Sequence, residues 1–263
     1  MNAFESYLHT FFFGYYPYIC LVVFLLGSLA RFERGQYTWK SESSQMLRTG
    51  SLRWGSNLFH VGILFLFAGH FAGLLTPHWA YEAFITPAQK QVLAVTAGGI
   101  AGTFCFIGLS LLLHRRITDA RVRATSGRTD LALLVLLWIQ LTLGLVTLPY
   151  SLSHADGTVM LALSDWAQRV VTFRVGGAEG LVAIAWPFKV HLVLGMTLFL
   201  LVPFTRLVHV WSGFGSLAYL VRARQVVRTR RLKLAPREPQ PQAPAAPRPD
   251  REWIPVQQPG PAD

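Results

Sequence analysis

Apolar residues in this chain are gathered into blocks of about twenty, separated by polar and basic stretches, instead of recurring as amphipathic stripes. Five blocks stand at roughly 11–32, 54–75, 91–114, 130–150 and 187–211. Each is long enough to cross a hydrocarbon core of ~30 Å at a helical rise of ~1.5 Å per residue. The pattern predicts an all-α integral membrane protein with five transmembrane helices in one bundle, spanning residues 1–230 with its connections. Within 33–53, SESSQM starts a short helix at the membrane surface. In the 151–186 connection, MLALSDWAQRVVTF lies along the interface, and the run near 178–186, EGLVAIAW, is too brief to cross. From about 234 the chain is dense in proline and alanine, so 231–263 is expected to be a disordered tail.

Composition agrees with this reading: 52% of residues are hydrophobic and 14% charged, with a mean hydropathy of +0.38. The net charge of +11 does not indicate a nucleic-acid partner, because the basic residues are sorted by side. Arg31, Arg34, Lys40, Arg48 and Arg53 occupy the first connection, Arg115, Arg116, Arg121, Arg123 and Arg128 the third, and nine more follow from Arg222. The second and fourth connections hold only Lys90, Arg169, Arg174 and Lys189. The positive-inside rule then places the N-terminus outside and the C-terminus in the cytoplasm, with the basic connections against anionic lipid. The first block lacks a basic leader and a small-residue cleavage site, and is expected to stay as an uncleaved helix.

The two cysteines, Cys20 and Cys105, lie inside apolar blocks with no CxxC or CxxCH. Any haem is therefore expected to be held noncovalently. Four histidines, His60, His70, His191 and His209, also lie inside the blocks, two in the second and two in the fifth. Ionisable groups at that depth are costly, and two histidines on each of two helices are what a bundle needs to clamp two haem irons between imidazole pairs. With five spans the second and fifth helices are antiparallel, which pairs His60 with His209 and His70 with His191. Ten residues of helix separate the first two by ~15 Å and eighteen separate the others by ~27 Å, a mismatch left to tilt and to a kink at Pro203. At ~100° per residue His191 and His209 share a face, while His70 is turned by ~80° from His60. Gly62, Gly69, Gly73 and Gly195 would let a flat macrocycle or a neighbouring helix approach. His9, His78, His114 and His154 read as surface residues.

Particular strings carry more than the pattern. FFFGYYPYIC, RFERGQYTWKSESSQML, SNLFHVGILFLFAGHFAGLLTPHW and HLVLGMTLFLLVPFTRLVHVWS resemble the cytochrome b (gamma) subunit of membrane-bound respiratory nitrate reductase, over about residues 8–225. The resemblance implies a bacterial inner-membrane dihaem subunit with two b-type haems, each held by two histidines. It takes electrons from menaquinol or ubiquinol near the outer face. These pass to an iron–sulfur beta subunit and a molybdenum-cofactor alpha subunit on the cytoplasmic face, where nitrate is reduced to nitrite. By the family's motif His70 and His191 hold the distal haem and His60 and His209 the proximal one. Lys90, in ITPAQKQ, matches the family's quinol-site lysine; an interfacial lysine that snorkels is the plainer reading. The tail after about 230 departs from the family.

Two other readings stay open from the residues alone. One is a related dihaem quinol-oxidising subunit serving a sulfur-compound or heterodisulfide reductase. The other is a transporter or anchor whose histidines relay protons, which the lack of acidic residues at mid-membrane depth disfavours.

Overall fold

The computed structural model describes residues 2–35, 50–153 and 156–211. All belong to one compact unit, Met1–Tyr219; a second unit, Leu220–Asp263, lies outside the described residues. The expected surface helix at SESSQM, the 231–263 tail and His154 also lie outside them. Among the described residues the secondary structure is wholly helical, and five helices are long and apolar enough to cross a membrane.

Helix α1 runs from Ala3 to Arg34 and contains a π turn over Phe11–Tyr15. It begins earlier than the apolar block suggests because Asn2 and Glu5 form a reciprocal capping box, satisfying donors that a helix start leaves free. Pro17 has no N–H to return to the Phe13 carbonyl, so the turn widens. The freed oxygen accepts the Trp166 indole N–H at 2.9 Å. Trp166→Phe keeps an aromatic ring against Phe13 but strips that donor. The expected cost is about 1–3 kcal/mol, seen as a melting temperature about 2–10 °C lower in detergent.

The other elements are α2 Gly50–Leu75, α3 His78–Tyr81, α4 Pro87–Thr118, α5 Ala120–Ala124, α6 Arg128–Leu152, α7 Thr158–Val171 and α8 Trp186–Leu201. A second capping box, Thr86 with Gln89, starts α4 ahead of its apolar block. Helix α7 is the expected amphipathic segment. It buries Val159, Met160, Trp166 and Ala167 and packs against α2 and α4.

The long helices pack as a series: α2 on α4, α4 on α6, α6 on α8, and α8 on α1. Small residues bring the first pair together: a Cβ on Gly62 would meet Cys105 Cβ at 2.7 Å, and one on Gly108 would collide with the Phe59 backbone. Close backbone approach replaces hydrophobic driving force between helices in lipid. Gly62 thus serves helix packing, and Gly73 faces Met160. Helices α1 and α8 run in the same direction, through Tyr16 Oη to Thr197 Oγ1 at 2.8 Å and the contact of Phe24 with Phe199 further along.

The fifth span differs from the continuous helix expected over 187–211. Helix α8 stops at Leu201, 3-10 turns cover Val202–Phe204 and Arg206–His209, and Thr205 between them is extended, at φ −123 and ψ 178. Pro203 cannot donate to the Phe199 carbonyl, which takes the Val202 N–H instead, and the tightened turn does not resume as α-helix. Arg31 of α1 holds the break open, its Nη1 donating to the carbonyls of Pro203 and Thr205, both at 2.8 Å. Non-helical backbone inside a membrane protein survives only where such groups are satisfied.

Candidate functional site

Helices α2 and α8 face each other through side chains and are not packed backbone to backbone. His70 stands opposite His191 with ring centroids 6.3 Å apart and planes 34° from parallel. Phe67 meets Phe199 further along the same antiparallel pair. Two imidazoles sharing one metal at N–metal distances of about 2.0 Å place their centroids roughly 6 Å apart, so the observed separation fits a single metal atom between them.

The remaining ring nitrogens agree. A carbonyl can only accept, so an Nδ1 bonded to one carries the proton and leaves the Nε2 lone pair for a metal. His60 donates from Nδ1 to Ser56 O at 2.7 Å, His70 to Leu66 O at 2.7 Å, His209 to Arg206 O at 2.6 Å and His191 to Gln140 O at 3.1 Å. All four histidines therefore have the tautomer of a ligand. Among the described residues no three His, Cys, Asp or Glu side chains converge. The donor set on offer is the imidazole pair, which suits an iron whose equatorial positions a macrocycle already fills.

The structure brings His70 and His191 together. His60 and His209 are placed separately: His60 is exposed on α2 and His209 half-buried on the 3-10 turn beyond the break. Among the described residues no ring contact joins them. The shared face expected for His191 and His209 does not apply, because the backbone between them is not one helix.

Lys90 is buried, 7% exposed, with Nζ 3.8 Å from the Tyr81 ring centroid and donating to Thr76 O at 3.4 Å. Burial, with the Glu82 charge beside it, raises the Tyr81 hydroxyl pKa above its ordinary value, so the phenol stays neutral and presents its π face to the ammonium. Gln168 of α7 donates to Leu74 O and Thr76 O. This fixes the connection after α2 over the start of α4.

Three groups read as surface residues or surface charge turn inward. His9 is half-buried, its Nε2 2.7 Å from Ala178 O, because α1 extends far enough for it to reach the 176–185 connection. Arg115 is buried. Arg116 and Arg206 share Asp130 at 3.5 and 3.8 Å, tying together the ends of three spans. Arg121 and Arg123 remain exposed. Sequence reasoning passed over Gln140, whose signal was a lone amide midway along an apolar block, and Arg31, counted only as a flanking charge.

Five apolar helices with an imidazole pair set between two antiparallel spans define a helical membrane protein with paired histidines on facing helices. The chain belongs to the nitrate reductase gamma subunit family, which matches residues 9–230. It is 53% identical over 227 residues to the respiratory nitrate reductase 2 gamma chain of Escherichia coli (strain K12), covering 86% of this chain and 99% of that one. It is 53% identical over 225 residues to the respiratory nitrate reductase 1 gamma chain of the same organism, covering 86% and 99%. With the nitrate reductase gamma chain of Bacillus subtilis (strain 168) the identity is 35% over 218 residues, 82% of this chain and 96% of that one. It is thus a multi-pass membrane subunit of a nitrate reductase, an oxidoreductase complex of nitrate respiration, and associates with the other subunits of that enzyme.

Proposed function

We propose that this subunit is a dihaem cytochrome b that oxidises quinol at the end of the bundle carrying Lys90 and delivers the electrons to iron–sulfur and molybdenum subunits at the opposite end. The observation that carries the reading is the facing of His70 and His191 at 6.3 Å from antiparallel spans, with Nδ1 of each committed to a carbonyl. His70 and His191 would hold one haem, His60 and His209 the other. Bound haem supplies one-electron carriers spaced across the membrane.

The chain's own residues prepare the quinol end. The Lys90 ammonium, held between the Tyr81 ring and the Thr76 carbonyl, donates to the quinol oxygen and stabilises negative charge as the hydroxyl gives up its proton. Each quinol releases two electrons and two protons. By the distribution of basic connections the Lys90 end faces outward and the Arg116 end the cytoplasm of the bacterial inner membrane. Protons leaving outward while electrons move inward contribute to the proton-motive force. Exposed Arg121 and Arg123 offer a basic docking surface to the partner subunits, which carry out nitrate reduction.

The test begins with haem content by pyridine haemochrome in the purified complex, where two b haems per chain are expected and none would sink the reading. Lys90→Met is then expected to lower kcat/KM for quinol about 10- to 100-fold with both haems retained. Unchanged quinol kinetics would remove Lys90 from the site.

A further inference from the structure

Three of the four span histidines are oriented by their own element: His60 and His70 donate to the carbonyl four residues back, and His209 to the one three back. His191 is different. Its Nδ1 reaches across to the Gln140 carbonyl of α6, so the plane of this imidazole is set by a helix that contributes no histidine of its own.

Helix α6 grips it in three further ways. The Gln140 amide crosses back, its Nε2 donating to His191 O at 3.1 Å and lying 3.5 Å from His191 Nε2. Glycine at position 195 leaves room for that amide, since a Cβ there would stand 3.0 Å from Gln140 Nε2 and crowd it. One turn along α6, a Cβ on Gly144 would stand 3.0 Å from His191 Cε1, so the Cε1 edge of the ring borders the space a side chain would take. Gln140 Oε1 is buried without a hydrogen-bond partner, a cost that a glutamine kept only for packing would have no reason to carry.

We propose that Gln140 and Gly144 are positioning residues that fix the plane of the His191 imidazole, and so set the ligand orientation and reduction potential of the iron bound between His70 and His191. The proposal rests on the reading that these two histidines share a haem. The hydrogen bond at Nδ1 determines how strongly Nε2 donates to the metal, and axial-ligand donation is a principal lever on haem potential. The angle between the two imidazole planes governs the largest g value of a low-spin ferric haem. Gly144→Ala turns the ring by crowding Cε1. Gln140→Leu keeps the volume and the main-chain acceptor but removes the amide that holds α6 and α8 in register at His191. Gly98→Ala is the control, a glycine whose added methyl meets nothing within 4 Å.

The experiment is EPR and redox titration of the oxidised complex in membranes, with haem content measured on the same samples. In both variants the largest g value of one ferric signal is expected to move. One of the two potentials should shift at least about threefold in the reduction equilibrium, about 28 mV at 59 mV per tenfold for one electron. The other signal and the Gly98→Ala protein should match wild type. Two haems with unaltered signals and potentials in Gln140→Leu and Gly144→Ala overturn the proposal. If Gly144→Ala loses one haem, Gln140→Leu decides on the same two readouts. The underlying reading fails separately, and is recognised by two haems persisting when His191 itself is replaced.

Discussion

On the dihaem reading, replacing His70 or His191 by alanine is expected to remove one b haem of two, the same one in each case, and the double replacement to remove no more. That non-additivity is the signature of two residues acting as a single site. Their rings stand 6.3 Å apart on spans that meet through side chains, so losing either one should empty the same position. Quinol-dependent nitrate reduction should fall by about a hundredfold or more, since loss even of an outer-shell partner of a metal ligand costs 10- to 100-fold. Nitrate reduction driven by an artificial donor that feeds the partner subunits directly should be unchanged. Haemochrome assay of the three variants and the two activity assays check this together. If the double variant lost both haems while each single lost a different one, the pairing would be wrong.

The second large effect belongs to Arg31. Arg31→Leu leaves the Pro203 and Thr205 carbonyls without the guanidinium that serves them both, at about 1–3 kcal/mol for each buried acceptor. The expected loss is about 2–6 kcal/mol, read as a lower melting temperature in detergent. Because the break carries the turn on which His209 sits, the haem proposed for His209 and His60 should be lost first. The haem between His70 and His191, anchored above Pro203, should keep its spectrum. Arg31→Lys, with three donors on a flexible stem but no planar fork, should lie in between. A stable Arg31→Leu protein with both haems would show that the break holds itself.

Much of this architecture was legible in the sequence. Five spans follow from apolar blocks alone, because a lipid-facing helix must be apolar over its whole crossing length and polar residues between spans have nowhere else to go. The span ends were less legible: Asn2 with Glu5 and Thr86 with Gln89 extend α1 and α4 through polar caps that a hydrophobicity pattern discards. The opposition of His70 and His191 followed from counting spans. The placement of His209 did not, because periodicity assumes an unbroken helix, and the break depends on an arginine 172 residues away in sequence from the carbonyl it serves. Trp166 completing the turn at Phe13, and Gln140 reaching His191, are long-range hydrogen bonds with no local signal. A lone polar residue within a span marks only that some partner exists.

The order in which the spans pack also bears on biosynthesis. Helix α1 leaves the ribosome first, yet its neighbour is α8: Tyr16 and Thr197 are 181 positions apart. At about 5–20 residues per second, the first span waits roughly 10–40 s in the bilayer for its companion, while α2, α4 and α6 join in sequence as they emerge. The His70–His191 gap has only one wall until the fifth span arrives, so on the dihaem reading cofactor loading there would be the closing event of synthesis. A chain truncated before Trp186 would insert four spans and bind nothing between them.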